Sequence, residues 1–355
     1  MRDDGQAFDY VIVGGGSAGC VLADRLSADG RHRVCLLEAG PRDRNPLIRM
    51  PTGIIPLVRG WACNWKYWTV PQRHMGNRRM YQPRGKTLGG SSSINAQVYI
   101  RGHASDFDHW ASLGCDGWSY AELLPLFRKI ENYEPDCEPQ DAPFHGKGGP
   151  LNIARRHFFN PLSEAFLDAA RQAGLPRSSD FNGAQQEGYG VLHSYHLDGE
   201  RCSNARAYLR RAERRDNLAV VTDAHVTRVL LENRRAVGVQ ARCGRRLREF
   251  HVRREVVLSA GAFGSPQLLM LSGIGPRDEL ERHGIAVRHE LPGVGRNLQD
   301  PEDIAINGWR TILLHYQRAC ESPSLLLQGV GMWVIPESPG IRRGKFVDKL
   351  LTAAN

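Results

Sequence analysis

Gly14, Gly16 and Gly19 stand as G-x-G-x-x-G in "FDYVIVGGGSAGC", and Glu38 closes the next apolar run, "RVCLLEAG", nineteen residues beyond Gly19. Together these residue types can hold a dinucleotide. Gly14 permits a tight turn, Gly16 lets backbone approach a pyrophosphate, and Gly19 lets a helix pack closely on a strand. Ser17 and Ala18 fall in the first helical turn, where unpaired N–H groups and the positive end of the dipole favour phosphate. A carboxylate at Glu38 can accept both hydroxyls of an adenosine ribose and repels a 2′-phosphate, so NADP is disfavoured. FAD and NAD both use such a unit, and these residues alone leave the choice open.

The elements that must position them are legible. "YVIV" reads as a buried strand, and "SAGCVLADRLSA" has helical spacing through Val21, Leu22 and Leu26. "RVCLLE" reads as a second strand. A second glycine-rich stretch, "PRGKTLGGSSSINAQVYIRGHASDFD", demands close backbone approach at Gly89 and Gly90. Further on, "EVVLSAGAFGSPQLLMLSGIGP" reads as a buried strand, a small-residue turn and a helix starting near Ser265-Pro266, a Ser cap followed by Pro. "NPLSEAFLDAARQAG" predicts a helix capped by Asn160, begun by Pro161 and ended by Gly174. "NLAVVTDAHVTRVLLENRRAVGVQA" predicts paired strands with a turn at Glu232-Asn233.

These stretches resemble the glucose–methanol–choline (GMC) oxidoreductases, a family of FAD-dependent alcohol dehydrogenases and oxidases. Both characteristic motifs of that family look intact, as "GKTLGGSSSINAQVYIRGHASDFD" and "GAFGSPQLLMLSGIG". "FHGKGGPLNI", "FNGAQQEGYGV", "RCSNARAYL" and "LPGVGRNLQD" are similar to bacterial choline dehydrogenase-like members. The resemblance spans about residues 8–300 and implies FAD. It matches Gly14, Gly16, Gly19 and Glu38 to the ADP-binding unit, and Gly89, Gly90 and Asn95 to the loop beside the flavin. It matches Val226 to a residue whose backbone meets the adenine, and places Ala260 and Gly261 at a strand end near the adenosine. Where some relatives carry a flavin-tethering histidine this chain has Ile94, which implies non-covalent FAD.

The implied activity is hydride transfer from a primary alcohol (choline-like, aliphatic or aromatic) to flavin N5. The electron acceptor, a quinone, a carrier protein or oxygen, is not read from the sequence. The family's catalytic histidine comes from a C-terminal segment far beyond "NLQD", and nothing in residues 301–355 replaces it. Pro301 stands where relatives usually place a histidine after "NLQD", and His315 lacks the expected surroundings. No catalytic residue is therefore assigned. Three readings follow: an FAD-dependent alcohol dehydrogenase of minimal form, a truncated FAD-binding relative without turnover, and a non-catalytic binding module.

The expected fold is α/β, a Rossmann-like FAD-binding domain with a partial, inserted α+β substrate domain. The boundaries drawn are 1–148 with 206–305 for the discontinuous FAD domain, 149–205 for the partial substrate domain, and 306–355 for a divergent tail. The chain's 355 residues carry a formal charge of +9, and the most basic stretch is residues 242–256. Its arginines alternate with Leu247, Phe250 and Val252 as on the wet face of a half-buried sheet, so no nucleic-acid partner is read. Weak peripheral attraction to anionic lipid is compatible with that charge. The N-terminus has no apolar core of a secretory signal, and the cytoplasm is the default. Eight cysteines show no CxxC pair and no metal-ligand spacing. His103, His145, His193 and His196 are read as surface or hydrogen-bonding residues before catalytic ones. Trp61, Trp65 and Trp68 are read as core or loop anchors.

Overall fold

A computed structural model describes residues 7–60, 62–155 and 161–298, without the side chain of Leu162. Two compact units emerge: residues up to Gln97 with those from Asp198 onward, and Val98–Leu197. The chain is mixed α/β, and its dinucleotide-type sheet lies in the first unit.

That sheet has six strands: β1 (Phe8–Val13), β2 (Val34–Leu37), β3 (Leu218–Val221), β4 (Ala224–Glu232), β5 (Arg235–Cys243) and β6 (Arg246–Leu258). Their order is β4-β5-β6-β1-β2-β3. β1 runs parallel to both β2 and β6, and β2 runs parallel to β3. Parallel neighbours need a crossover, and α1 (Ser17–Leu26) supplies the one from β1 to β2. Both faces of the centre are covered, which explains why "YVIV" and "VCLL" are unbroken apolar runs. Val11, Val13, Cys35 and Leu37 pack one way, with Val226, Val239, Phe250 and Leu268. Ile12, Val34 and Leu36 pack the other way, against Cys20 and Ala23 of α1 and Tyr208 and Leu209.

β6 does two jobs. Its first half pairs antiparallel with β5, from Arg246↔Cys243 to His251↔Gly238, and its second half pairs parallel with β1, ending at Leu258↔Val13. Phe250 is buried as the alternation predicts, whereas Leu247 lies on the opposite, wet face at 59% exposure. β4 and β5 are joined at Asn233-Arg234, both with positive φ (47° and 66°), because Glu232 already pairs with Arg235. Two left-handed residues make the tight hairpin turn whose twist suits flanking strands. The turn sits one residue later than the sequence predicts. Helix α2 (Gly261–Leu271) begins four residues before the expected Ser265-Pro266 start, and Pro266 lies inside it. The reason is local: Ser265 Oγ accepts the N–H of Ala260 at 3.0 Å from within the first turns, so it serves the helix front without being its cap.

The second unit carries helices Ala104–Ser112, Tyr120–Ile130 and Pro161–Gln172, and a parallel strand pair, Glu131–Tyr133 with Leu151–Ile153. Pro161 opens the third helix as expected and Gly174 follows it at φ +71°; Asn160 lies outside the described residues. A buried polar cluster ties this unit together. Glu131, fully buried, accepts from Tyr99 Oη and Arg101 Nη2. His145 Nδ1 lies 3.2 Å from Glu131 and Nε2 2.6 Å from Asp180, and these two carboxylates raise its titration against the opposing effect of burial. Tyr133 Oη also donates to Asp180, at 2.8 Å. These bonds tie residues 98–148 to 149–197 within the compact unit Val98–Leu197. Among the described residues no helix is long and apolar enough to cross a membrane.

Candidate dinucleotide site

β1 delivers its glycines to the carboxyl edge of the sheet, beside the ends of β2 and β6. Gly14 sits at φ +101°, and a Cβ there would lie 2.6 Å from Ser259 O. Ser259 Oγ hydrogen-bonds Val13 O (3.0 Å) and Gly14 O (2.9 Å), tying the turn to the end of β6. A Cβ on Gly19 would meet Gly14 O at 1.9 Å, so α1 can reach the strand only with glycine at that position. Cys20 Sγ donates to Gly15 O at 3.3 Å, and burial pushes this thiol up to about 12, which keeps it protonated and inert.

Gly16 is different. The nearest atoms a Cβ would meet there are Gly90 Cα at 3.9 Å and Ser259 O at 4.0 Å. Gly16 precedes α1 without any side-chain cap, no acidic residue occupies the first turn, and Ser17 and Ala18 are exposed. The positive end of a ten-residue helix is thus left open to an anion.

Glu38 follows the end of β2 (Val34–Leu37). Its Oε2 accepts the Gly15 N–H and its Oε1 the Gly40 N–H, both at 2.8 Å, and only 5% of the residue is exposed. Its backbone is clamped between strands, with its N–H on Val221 O and its C=O taking the Ala224 N–H, both at 2.9 Å. Burial pushes its carboxyl up to about 7, against the lowering effect of the two N–H donors and of Lys86. Lys86 lies over the Trp65 ring, 4.5 Å from its centroid, and Trp65 stacks on Tyr67. Trp65 is therefore a loop anchor beside the site, Trp68 is 57% exposed, and Trp61 lies outside the described residues.

The second glycine-rich stretch meets the first backbone to backbone. Gly89 N–H donates to Gly15 O at 2.7 Å, and a Cβ on Gly90 would lie 2.7 Å from Gly16 Cα. Asn204 braces both, its N–H on Ser92 Oγ (3.0 Å) and its Nδ2 on Ser17 O (3.3 Å). Ala260 and Gly261 stand where β6 passes into α2, with Ala260 Cα only 2.8 Å from a Cβ placed on Gly14. Val226 lies on β4, paired with Ala241 and two residues past Ala224, which bonds Glu38. Asn95 follows the turn Gly90–Ser93, its N–H on Ser91 O at 2.9 Å. Ile94 is buried with Ile48, Leu57 and Cys63 and offers no nucleophile.

An open helix terminus, a glycine cradle and a buried carboxylate meet within one unit. That donor set fits the pyrophosphate and ribose of a dinucleotide. A family model described as GMC oxidoreductase matches residues 8–302. The chain belongs to the GMC oxidoreductase family. It is 46% identical over 327 residues to an oxygen-dependent choline dehydrogenase of Photobacterium profundum, covering 92% of this chain and 55% of the relative. It is 49% identical over 302 residues to an alcohol dehydrogenase [acceptor] of Pseudomonas putida, covering 84% of this chain and 54% of the relative. Among solved structures, pyridoxine 4-oxidase from Mesorbium loti superposes with a TM-score of 0.75 at 38% identity, over 80% of this chain and 55% of that one. An FAD-dependent oxidoreductase from Chaetomium thermophilum gives 0.77 at 33% identity, over 90% and 58%. The chain spans about half the length of the curated relatives it matches. Family membership supports FAD as the dinucleotide, which the glycine unit alone left open.

The histidines weighed from the sequence have other partners. His103 caps the helix Ala104–Ser112, its Nδ1 taking the Ser105 N–H at 3.3 Å. His145 and His193 belong to the buried cluster of the second unit, and His196 Nδ1 pairs with Ser194 Oγ. His315 and Pro301 lie outside the described residues. Sequence reasoning passed over Ser259, Asp24 and Arg201. Asp24, 1% exposed, takes Arg211 Nη2 and Arg215 Nη2, each at 2.9 Å, and locks α1 to the segment after residue 209.

Proposed function

We propose that this chain binds FAD non-covalently and serves an FAD-dependent oxidoreductase acting on CH–OH groups, with a primary alcohol as hydride donor and an aldehyde as product. The observation that carries the reading is the convergence on Gly15, whose N–H bonds Glu38 and whose C=O takes the Gly89 N–H. One residue thus joins the ribose acid, the phosphate loop and the flavin-side loop. Bound FAD supplies the hydride acceptor at flavin N5. The chain's own part is binding and placement. The α1 N-terminus with Ser17 and Ala18 takes the pyrophosphate, Glu38 accepts the ribose hydroxyls, and Gly89, Gly90 and Asn95 line the flavin side. Val226, Ala260 and Gly261 border the adenosine, and Ile94 leaves the flavin untethered. Choline-like, aliphatic and aromatic alcohols are the candidate substrates, and oxygen, a quinone or a carrier protein the candidate acceptors; the choline and alcohol dehydrogenases named above support an alcohol as donor. The test is an anaerobic visible spectrum of the FAD-loaded chain before and after an alcohol panel that includes choline. Bleaching supports the whole reading. Bound but unbleached flavin restricts the chain to cofactor binding, and no bound flavin removes the reading.

A further inference from the structure

Arg201 is 2% exposed and is among the largest fully buried side chains of the protein. Its Nε donates to Ile48 O at 2.9 Å. Its Nη1 donates to Asn95 O (2.7 Å), Asn95 Oδ1 (3.0 Å) and Ser92 O (3.4 Å). Three carbonyls from two separate segments and one side-chain amide therefore meet a single guanidinium. A rigid fork can span such a set, and a lysine point charge cannot.

The contact also fixes an orientation. Arginine only donates, so the Asn95 atom at 3.0 Å is the amide oxygen. The same oxygen accepts the Gln97 N–H at 3.2 Å. With two donors on that oxygen, the Asn95 carboxamide faces any other group as a donor through Nδ2. We propose that Arg201 is a positioning residue for the cofactor: it holds the turn after Gly90 and turns the Asn95 amide oxygen inward, so that Asn95 offers bound FAD an N–H donor. This rests on the FAD reading above.

Two variants test it, read by FAD titration (fluorescence quenching), by visible circular dichroism of the bound flavin at saturation, and by melting of the FAD-free protein. Asn95→Asp keeps an oxygen for Arg201 and replaces the donor by an acceptor. It is expected to melt no lower than wild type, to raise the FAD Kd at least about tenfold, and to change the flavin dichroism. Arg201→Lys keeps the charge without the fork, and is expected to change the same band. The double variant should bind FAD no more weakly than about the worse single, because both act through one amide. A wild-type chain that takes up no FAD overturns the FAD reading and this proposal together. A wild-type chain that binds FAD, while Asn95→Asp binds it with unchanged Kd and unchanged dichroism, overturns this proposal alone. So does an Arg201→Lys chain that melts lower yet binds FAD with wild-type Kd and dichroism.

Discussion

Lowering the pH from 8 to 6 should weaken FAD binding about tenfold, and Glu38 is the reason. Without cofactor its carboxyl is pushed up to about 7 by burial, from an ordinary value of 4.5. Ribose hydroxyls donate to the charged form, so binding draws the proton off. If the bound form titrates well below 6, the observed Kd scales as one plus the ratio of proton concentration to the acid constant, a factor of about 11 at pH 6 and 1.1 at pH 8. The sign for stability is opposite. A carboxyl raised in the folded state stabilises fully below about 4.5 and loses that contribution as pH rises through about 7, at most about 3 kcal/mol. The FAD-free protein should therefore weaken over the same range in which its hold on FAD strengthens. Titration calorimetry in two buffers of different ionisation enthalpy should show close to one proton released per FAD at pH 6. A Kd that is the same at pH 6 and 8, or a Glu38→Gln chain with the wild-type slope, would falsify the assignment of Glu38 to the ribose.

Gly16→Ala should melt within about 2 °C of wild type, since its Cβ meets nothing nearer than 3.9 Å, yet bind FAD at least about tenfold more weakly. Gly19→Ala, with its Cβ 1.9 Å from Gly14 O, should lose more than about 4 kcal/mol in urea unfolding; a loss below 1 would sink the packing argument. Asp24→Ala should destabilise by about 2 kcal/mol, a moderate figure because Arg211 and Arg215 are partly exposed and can be rehydrated. The contributions of His145 and Asp180 to the second unit should both be fully present between about pH 4 and 6.5. His145, raised by Asp180 and Glu131 against burial, stabilises fully below 6.5 and loses that as pH rises through its folded value. Asp180, lowered to about 2, stabilises above its ordinary value and loses that as pH falls through about 2. Burial lowers His193 and gives a contribution of the opposite sense, present above 6.5 and lost as pH falls through its depressed value. Hydrogen exchange of residues 131–153 across pH 3–9 should show protection lost as pH rises above 6.5, and His145→Gln should abolish that loss.

The glycine fingerprint and Glu38 were legible because strand, turn and helix are contiguous and each glycine answers a local steric demand. The hairpin at Asn233-Arg234 was legible to within one residue for the same reason. Distant partners left no such mark. Nothing near Asp24 announces arginines 187 and 191 residues away, and Ser259 looks like any serine in a small-residue turn. Arg201 sits in a quoted family stretch, but its burial depends on carbonyls that only the folded turn after Gly90 presents. The second unit's buried charge cluster has no periodicity to read, because its members are brought together only by the fold.

The pairing of β1 with β6 sets a timetable for synthesis. Phe8–Val13 is made well ahead of its parallel partner, which ends at Leu258, and of Ser259, which ties its turn. At roughly 5–20 residues per second, the 245 positions between Gly14 and Ser259 take on the order of 12–50 s to appear. During that interval the strand has β2 and α1 for company, while its other edge, carrying unbroken apolar sequence, waits without its native neighbour. The nascent chain is then vulnerable to mispairing, and a holdase that recognises short apolar strands would find its target in "YVIV". FAD cannot assist that early stage, because its cradle is incomplete until the ribosome has passed Ser259.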